Sequence, residues 1–262
     1  MYKHHRESLD QLVEVIKSDP EFLAIITSGS IAQGKAKEGS DIDVYLVLTD
    51  EAYERRKKVH SLAYNNRDVC NYPDGYIDGK MINRQFLELA AIQGSEPTRY
   101  SFVGSQVVWS RLPDLEQLIQ RIPEYPEQHR EGNIQDFYAQ LLLYAFYFSG
   151  EAAQKNNPYL MLHSASNTAL FGARIVLAYN RTLFPCHKGL REAVASVPDQ
   201  PEAFMQHWDS LLDHPSAQKC MELAKLLLGH YKPELAFDQA VSMFVSNNEW
   251  NWLDHEPPIA DR

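Results

Sequence analysis

The chain has few of the features that mark secreted, membrane-spanning or disulfide-bonded proteins. It contains three cysteines in 262 residues, and their wide spacing forms neither a disulfide framework nor a CxxC zinc pair. No apolar run approaches the roughly 20 residues that cross a bilayer, and the amino terminus is polar where a secretory signal would be apolar. These absences predict free thiols, no membrane partner and a cytoplasmic location.

Positive charge is also scarce. Lysine and arginine together number 25 against 35 aspartates and glutamates, so the formal net charge is -10 at pH 7. Proteins that bind long nucleic acids neutralise phosphates with many basic side chains, and we therefore expect no long RNA or DNA partner. The acidic excess is greatest after residue 115, where it is typical of a solvated surface or of one that attracts a cationic small molecule.

Three common catalytic signatures are absent as well. The chain contains no GxxxxGK[ST] phosphate loop, no HExxH zinc motif and no GxSxG nucleophile elbow. These absences argue against P-loop nucleotide hydrolysis, zinc proteolysis and α/β-hydrolase chemistry.

The pattern of apolar residues divides the chain in two. Up to residue 112, strand patterns at 22–27, 41–48, 76–82 and 106–110 alternate with helical patterns at 8–16, near 31, at 50–64 and at 85–93. After residue 113 the patterns are helical: 114–121, 134–154, 158–180, 188–197, 201–212, 216–231 and 235–246. We therefore predict an α+β fold, with a small sheet and flanking helices at residues 1–112 and an all-α helical bundle at residues 113–262.

The segment with the clearest chemistry is SGSIAQGKAKEGSDIDVYLVL, residues 28–48. Asp41 and Asp43 begin its second strand, and side chains two apart on a strand point to the same face. Carboxylates are rarely buried without a partner, and two of them at one strand end are suited to bind hard divalent cations such as Mg2+. The pattern therefore predicts a magnesium site at the start of this strand.

A glycine and a serine precede these aspartates at the end of the first strand. Gly29 allows a close backbone approach. Ser30 offers a hydroxyl group and amide donors at a helix start, which suit a phosphate chain. Cations on one side and phosphate donors on the other indicate phosphoryl or nucleotidyl transfer by metal-assisted attack at phosphorus.

A set of positions in this segment matches a known signature: Gly29, Ser30, Gly34, Ser40, Asp41 and Asp43. They resemble the motif of the polymerase-beta-type nucleotidyltransferase superfamily. The resemblance implies a small mixed β-sheet catalytic domain, two Mg2+ ions at the aspartate pair, and ATP or another nucleoside triphosphate as co-substrate. It also implies that Gly29, Ser30 and Ser40 bind the nucleotide.

That family completes its metal site with a third carboxylate on a later strand, which also favours deprotonation of the acceptor hydroxyl. Asp78, within GYIDGKMI, is the position that the resemblance implies, both as a catalytic residue and as a metal ligand. Asp68 and Asp74 remain alternatives, and Asp78 could instead lie in a hairpin turn with Gly79.

The helical half is similar to that of nucleotidyltransferases that modify aminoglycosides and other antibiotics, in which acceptor and nucleotide lie between two lobes. The stretch AYNRTLFPCHK, residues 178–188, looks like a segment of that lobe in which a lysine reaches the triphosphate. Lys188 is therefore a candidate for nucleotide binding. The alternative is a solvated lysine in the first turn of a helix.

The sequence thus predicts a Mg2+-dependent enzyme that transfers a nucleoside monophosphate, AMP from ATP in our preferred interpretation, to a hydroxyl of a small-molecule acceptor such as an aminoglycoside-like antibiotic. Two alternatives stay open. In the first, the acceptor is a protein, as in antitoxin-like nucleotidyltransferases that adenylylate a toxin. In the second, the chain binds nucleotide without catalysis, and its helical half forms a homodimer.

Overall fold

The structure is a computed structural model that describes residues 1–262. Its contacts divide the chain into two compact units, Met1–Tyr125 and Pro126–Arg262. The first unit combines a sheet with helices, and the second contains helices alone, which confirms the predicted fold class. None of the helices combines the length and the apolar composition that a membrane span requires.

The first unit is built on a five-stranded mixed sheet with the strand order β3-β4-β2-β1-β5. Its strands are β1 Phe22–Thr27, β2 Ile42–Leu48, β3 Ala63–Asn66, β4 Ile77–Asn83 and β5 Val107–Ser110. Its helices are α1 Lys3–Ile16, α2 Gly29–Ala32, α3 Asp50–Lys58, α4 Arg84–Gln93, α5 Glu96–Ser101 and α6 Leu115–Arg121. The β2–β4 pair is parallel, and the other neighbouring strands are antiparallel.

Both faces of the sheet are covered, and the alternation along β2 shows how. Ile42 and Val44 point to one face and belong to the same core cluster as Leu12 of α1. Tyr45 and Val47 point to the other face, and both belong to the cluster that includes residues of α4 and α6. A strand whose residues are buried on both sides reads as a continuous apolar run, which is why residues 42–48 were predictable as a strand.

The first unit extends beyond residue 112, where the sequence analysis divides the chain. Leu115 and Ile119 of α6, and Ile122 after it, are buried in a core cluster of the first unit. Because an amphipathic helix goes with the core that buries its apolar side, α6 belongs to the sheet-containing unit.

The side chain of Arg99 ties together the segments around α4, α5 and α6. It is only 3% exposed, and its guanidinium donates five hydrogen bonds of 2.9 to 3.2 Å to backbone oxygens. The acceptors are the carbonyl groups of Ala91, Ile92, Gly94, Ile122 and Glu124. Burial lowers the pKa of Arg99. The five donors of one guanidinium thus satisfy carbonyl groups at a helix end and in a neighbouring loop.

One predicted helix of the first unit is too long. The sequence pattern predicts a helix over 50–64, whereas α3 ends at Lys58 and residues Ala63–Asn66 form β3. His60 adopts a positive φ of 55° in the turn between them, and the backbone of β3 pairs with β4. Pairing along the sheet edge therefore overrides the helical pattern of the side chains.

The second unit consists of packed helices. These are α7 Glu127–Leu142, a π-helical segment Leu143–Phe148, α8 Ser149–Gln154, α9 Pro158–Tyr179, α10 Leu190–Ala195, α11 Phe204–Asp213, α12 Ala217–Tyr231 and α13 Phe237–Phe244. A short π-helical segment follows at Val245–Glu249, and two 3-10 segments lie at Asn251–Leu253 and Ile259–Asp261. The pattern predicted one helix over 134–154, and the π-helical segment interrupts it.

Small residues let the helices of the second unit approach α9 closely. Ala165, Ala169 and Ala173 recur every fourth residue along α9 and are almost fully buried. Trp208 of α11 donates its indole N–H to the backbone oxygen of Ala169 at 2.9 Å. This buried hydrogen bond satisfies the one polar atom of a large apolar side chain.

Candidate functional site

Three aspartates lie close together where the neighbouring strands β2 and β4 begin. Asp41 directly precedes β2, Asp43 lies within it, and Asp78 lies in the parallel strand β4, where it is paired with Asp43. Side chains two apart on a strand, or side by side in register, point to the same face. One carboxylate oxygen from each aspartate accordingly lies within 4.8 Å of those of the other two.

The environment of this cluster is suited to a divalent cation. All three side chains are partly exposed, so an ion can reach them. Three carboxylates at this separation repel one another when ionised, and a cation between them removes that repulsion. Carboxylate oxygens are also the ligands that Mg2+ prefers.

The position of Asp78 bears on the alternatives that the sequence leaves open. Asp78 lies inside β4 rather than in a hairpin turn with Gly79. Asp68 and Asp74 are exposed residues of the segment between β3 and β4, and the carboxylate cluster does not include them. The geometry therefore brings together the three aspartates of the preferred assignment.

Gly29 lies directly against Asp43. The backbone N–H of Ser28 donates to the backbone oxygen of Asp43 at 2.9 Å, and Gly29 follows with a positive φ of 60°. A Cβ atom at position 29 would lie 1.9 Å from Oδ2 of Asp43. Both the backbone conformation and the contact with the carboxylate therefore require glycine here.

Ser30 follows Gly29 in the first turn of α2. No side chain caps the N-terminus of this short helix. The preceding hydroxyl, that of Ser28, donates instead to the backbone oxygen of Ser101 at 2.7 Å. The start of α2 therefore presents backbone amides next to the carboxylate cluster, an arrangement that favours an anionic group.

Ser40 directly precedes Asp41 but is engaged in its own turn. Its hydroxyl accepts a hydrogen bond from the backbone N–H of Lys37 at 2.9 Å. Its backbone oxygen accepts one from the hydroxyl of Tyr72 at 2.8 Å. These contacts hold the loop that leads into Asp41.

Two tyrosines that carry no recognisable motif in the sequence lie beside the carboxylates. The hydroxyl of Tyr76 donates to Oδ2 of Asp41 at 2.9 Å, and this hydrogen bond and the negative charge of Asp41 raise the pKa of Tyr76. Tyr72 precedes Tyr76 in the same loop. Burial is the main cause that raises the pKa of Tyr72 to about 12. Both tyrosines belong to the segment NYPDGY, whose composition predicts only a turn, so the sequence gives no sign of their position beside the aspartates.

Lys188, the remaining predicted site residue, lies in the second unit. It is exposed and belongs to the short 3-10 segment His187–Gly189, two residues before α10 begins. A helix predicted to start at residue 188 thus starts at Leu190. The role of Lys188 in nucleotide binding stays a prediction.

Comparisons with known proteins agree with this geometry. Residues 9–90 match the protein family described as "Nucleotidyltransferase domain", a range that contains all three aspartates. A comparison with curated protein sequences found no match. In structure, the chain is similar to a nucleotidyltransferase-like protein from Exiguobacterium sibiricum 255-15, with 11% sequence identity, a TM-score of 0.50, and coverage of 97% of this chain and 81% of that one. At this identity the likeness shows a common fold. The family match confirms the predicted resemblance to the polymerase-beta-type nucleotidyltransferase superfamily.

Proposed function

We propose that the protein transfers AMP from ATP to a hydroxyl group of a small-molecule acceptor in a Mg2+-dependent reaction. The starting point is that residues 9–90 match a nucleotidyltransferase domain, so the protein is a nucleotidyltransferase. The observation that carries this proposal is the convergence of Asp41, Asp43 and Asp78 within 4.8 Å beside the start of α2. An aminoglycoside-like antibiotic is the acceptor that we propose to test first.

The donor set fits the metal that we propose. It consists of hard oxygen ligands only, and each of them is open to solvent in part. Asp41 and Asp43 would hold two Mg2+ ions, and Asp78 would ligate one of them. When bound, such ions stabilise negative charge on the attacking and leaving oxygens of a phosphoryl or nucleotidyl transfer.

The chain's own groups would act on the phosphates and on one proton. Backbone amides at Gly29 and Ser30 would bind the β- and γ-phosphates, because a helix start favours anions and the missing Cβ permits a close approach. The carboxylate of Asp78 would favour loss of the acceptor hydroxyl proton. We propose Ser40 and Lys188 as further residues of the nucleotide site. Ser40 would act by holding the loop beside Asp41 in place.

Acceptor binding is proposed for the helical half. Trp250 and Trp252 expose 56% and 58% of their surface, and the acidic residues Glu249 and Asp254 flank them in the sequence. Aromatic faces and carboxylates both attract cations. Such a surface is suited to a cationic molecule rich in hydroxyl groups.

The test is a transfer assay with purified protein, MgCl2 and ATP labelled at the α-phosphate, run against a panel of hydroxylated acceptors that includes aminoglycosides. We expect acceptor-dependent release of pyrophosphate and label on the acceptor. Asp41→Asn should abolish both, and Asp10→Asn, a change at an exposed aspartate of α1, should leave both unchanged.

Three other outcomes would contradict the proposal. Label that appears on a polypeptide from a cell lysate, and on no small molecule, would favour protein adenylylation. ATP binding without pyrophosphate release across the whole panel would favour a non-catalytic binding protein. Transfer that persists in Asp41→Asn would mean that the carboxylate cluster is not the active centre.

A further inference from the structure

A tyrosine, Tyr76, lies next to the three aspartates of the carboxylate cluster. Ile42 pairs with Ile77 and Asp43 with Asp78 in the parallel register of β2 and β4. One step earlier, the backbone N–H of Ile42 donates to the oxygen of Tyr76 at 3.0 Å. Since side chains two apart share a face, Tyr76 stands beside Asp41 as Asp78 stands beside Asp43.

Tyr76 makes a directed contact with one oxygen of its neighbour. Its hydroxyl donates to Oδ2 of Asp41 at 2.9 Å, within the usual range of a hydrogen bond to a carboxylate. An aspartate side chain rotates about two bonds, and a donor on one oxygen restricts that rotation. This hydrogen bond uses Oδ2 of Asp41 and does not involve Oδ1.

The tyrosine ring is itself held in place. The backbone of Tyr76 is fixed by the hydrogen bond to Ile42, and the guanidinium of Arg67 lies 5.2 Å from the centre of the ring, within the range of a cation–π contact. Tyr72 differs in its acceptor, because its hydroxyl reaches the backbone oxygen of Ser40 instead of a carboxylate. Of the two tyrosines, Tyr76 is therefore the one placed to orient a metal ligand.

We propose that Tyr76 is a positioning residue that holds Asp41 in the orientation in which it binds a divalent cation. The proposal rests on the metal site of the proposed function. It assigns Tyr76 no contact with the metal, with the nucleotide or with the acceptor.

The experiment measures Mn2+ binding to the intact protein without nucleotide, by the loss of the free-ion electron paramagnetic resonance signal. Tyr76→Phe removes the hydroxyl and keeps the ring that Arg67 contacts. Partners that orient metal ligands typically contribute 10- to 100-fold to affinity, so we expect Mn2+ to bind about tenfold more weakly. The control is Tyr64→Phe, which removes a hydroxyl that accepts a hydrogen bond from Asn66 in β3, and it should bind Mn2+ like the unaltered protein.

A double-mutant cycle distinguishes positioning from a general loss of stability. If Tyr76 acts through Asp41, Tyr76→Phe should cause no further loss of Mn2+ affinity in an Asp41→Asn background. Equal losses in both backgrounds would overturn the proposal. The proposal would also be overturned if Tyr76→Phe bound Mn2+ as tightly as the unaltered protein, or more tightly.

The same titration separates this inference from the proposed function. If the unaltered protein binds no Mn2+ at millimolar concentration, the metal site itself is wrong, and the positioning role is refuted with it. If the unaltered protein binds Mn2+ and Tyr76→Phe binds it equally well, the positioning role alone is refuted. Thermal denaturation of each variant checks that the comparison is made between folded proteins.

Discussion

We expect Gly29→Ala to disable the metal site and to leave the protein folded. The backbone at position 29 has a φ of 60°, where a residue with a Cβ atom is strained by about 1–2 kcal/mol. The new methyl group would also lie 1.9 Å from Oδ2 and 2.6 Å from Cγ of Asp43. Because the other close atoms belong to the same side chain, relief of the clash requires the carboxylate of Asp43 to move.

The two effects differ in what they change. Strain of about 1–2 kcal/mol is small against a free energy of unfolding of about 5–15 kcal/mol, so most molecules stay folded. Displacement of Asp43 removes one of three carboxylate ligands from the cluster. We expect Mn2+ affinity to fall at least about tenfold, which corresponds to about 1.4 kcal/mol of binding free energy.

Gly34→Ala is the matched control. Gly34 also has a positive φ, 71°, but a Cβ atom there would meet no atom within 4 Å. Urea denaturation should therefore show a similar loss of stability in both variants, whereas a Mn2+ titration should show weaker binding in Gly29→Ala alone. If Gly29→Ala binds Mn2+ as tightly as Gly34→Ala does, the contact between Gly29 and Asp43 does not matter for the site and our reasoning is refuted.

Three further predictions concern other parts of the first unit. Asp78→Asn should weaken Mn2+ binding and abolish nucleotidyl transfer, whereas Asp74→Asn, at a position whose φ of 57° asparagine tolerates, should reduce neither; the reverse result would contradict the proposed third ligand. Arg99→Lys should lower the free energy of unfolding in urea by about 3 kcal/mol, because an ammonium group cannot satisfy five buried carbonyl groups; a loss under about 1 kcal/mol would speak against this role. The hydrogen bond from Arg84 lowers the pKa of Asp114 from 3.8 to about 2. The stability that this pair contributes is thus present above the ordinary pKa and is lost as the pH falls towards 2. Asp114→Asn should flatten the dependence of the melting temperature on pH in this window, and an unchanged dependence would rule the pair out as its cause.

The central part of the site could be predicted because short-range patterns determine it. The apolar run of β1 is bounded by a proline before it and a Ser-Gly-Ser turn after it, and the predicted bounds, 22–27, agree with the strand Phe22–Thr27. Asp41 and Asp43 share a face because of the two-residue period of a strand. These features depend on neighbouring residues, which a single sequence contains.

Features that depend on pairing between distant segments could not be predicted in this way. The residues of β3 are Ala-Tyr-Asn-Asn, which lack the alternation of a half-buried strand, and only the pairing with β4 makes them one. Tyr76 lies beside Asp41 because β2 and β4 are parallel neighbours in one register. The role of Arg99 likewise depends on carbonyl groups more than twenty residues away in sequence, at Ile122 and Glu124.

The parallel pairing of β2 and β4 also determines where this chain can change in length. One residue inserted between Ile77 and Asp78 would turn Asp78 to the opposite face of the sheet, since the faces alternate at every residue. Extra residues in the exposed turn at 59–61, between α3 and β3, would alter no strand register. That turn is therefore the place in the first unit where a reporter peptide could be inserted while the three aspartates stay together.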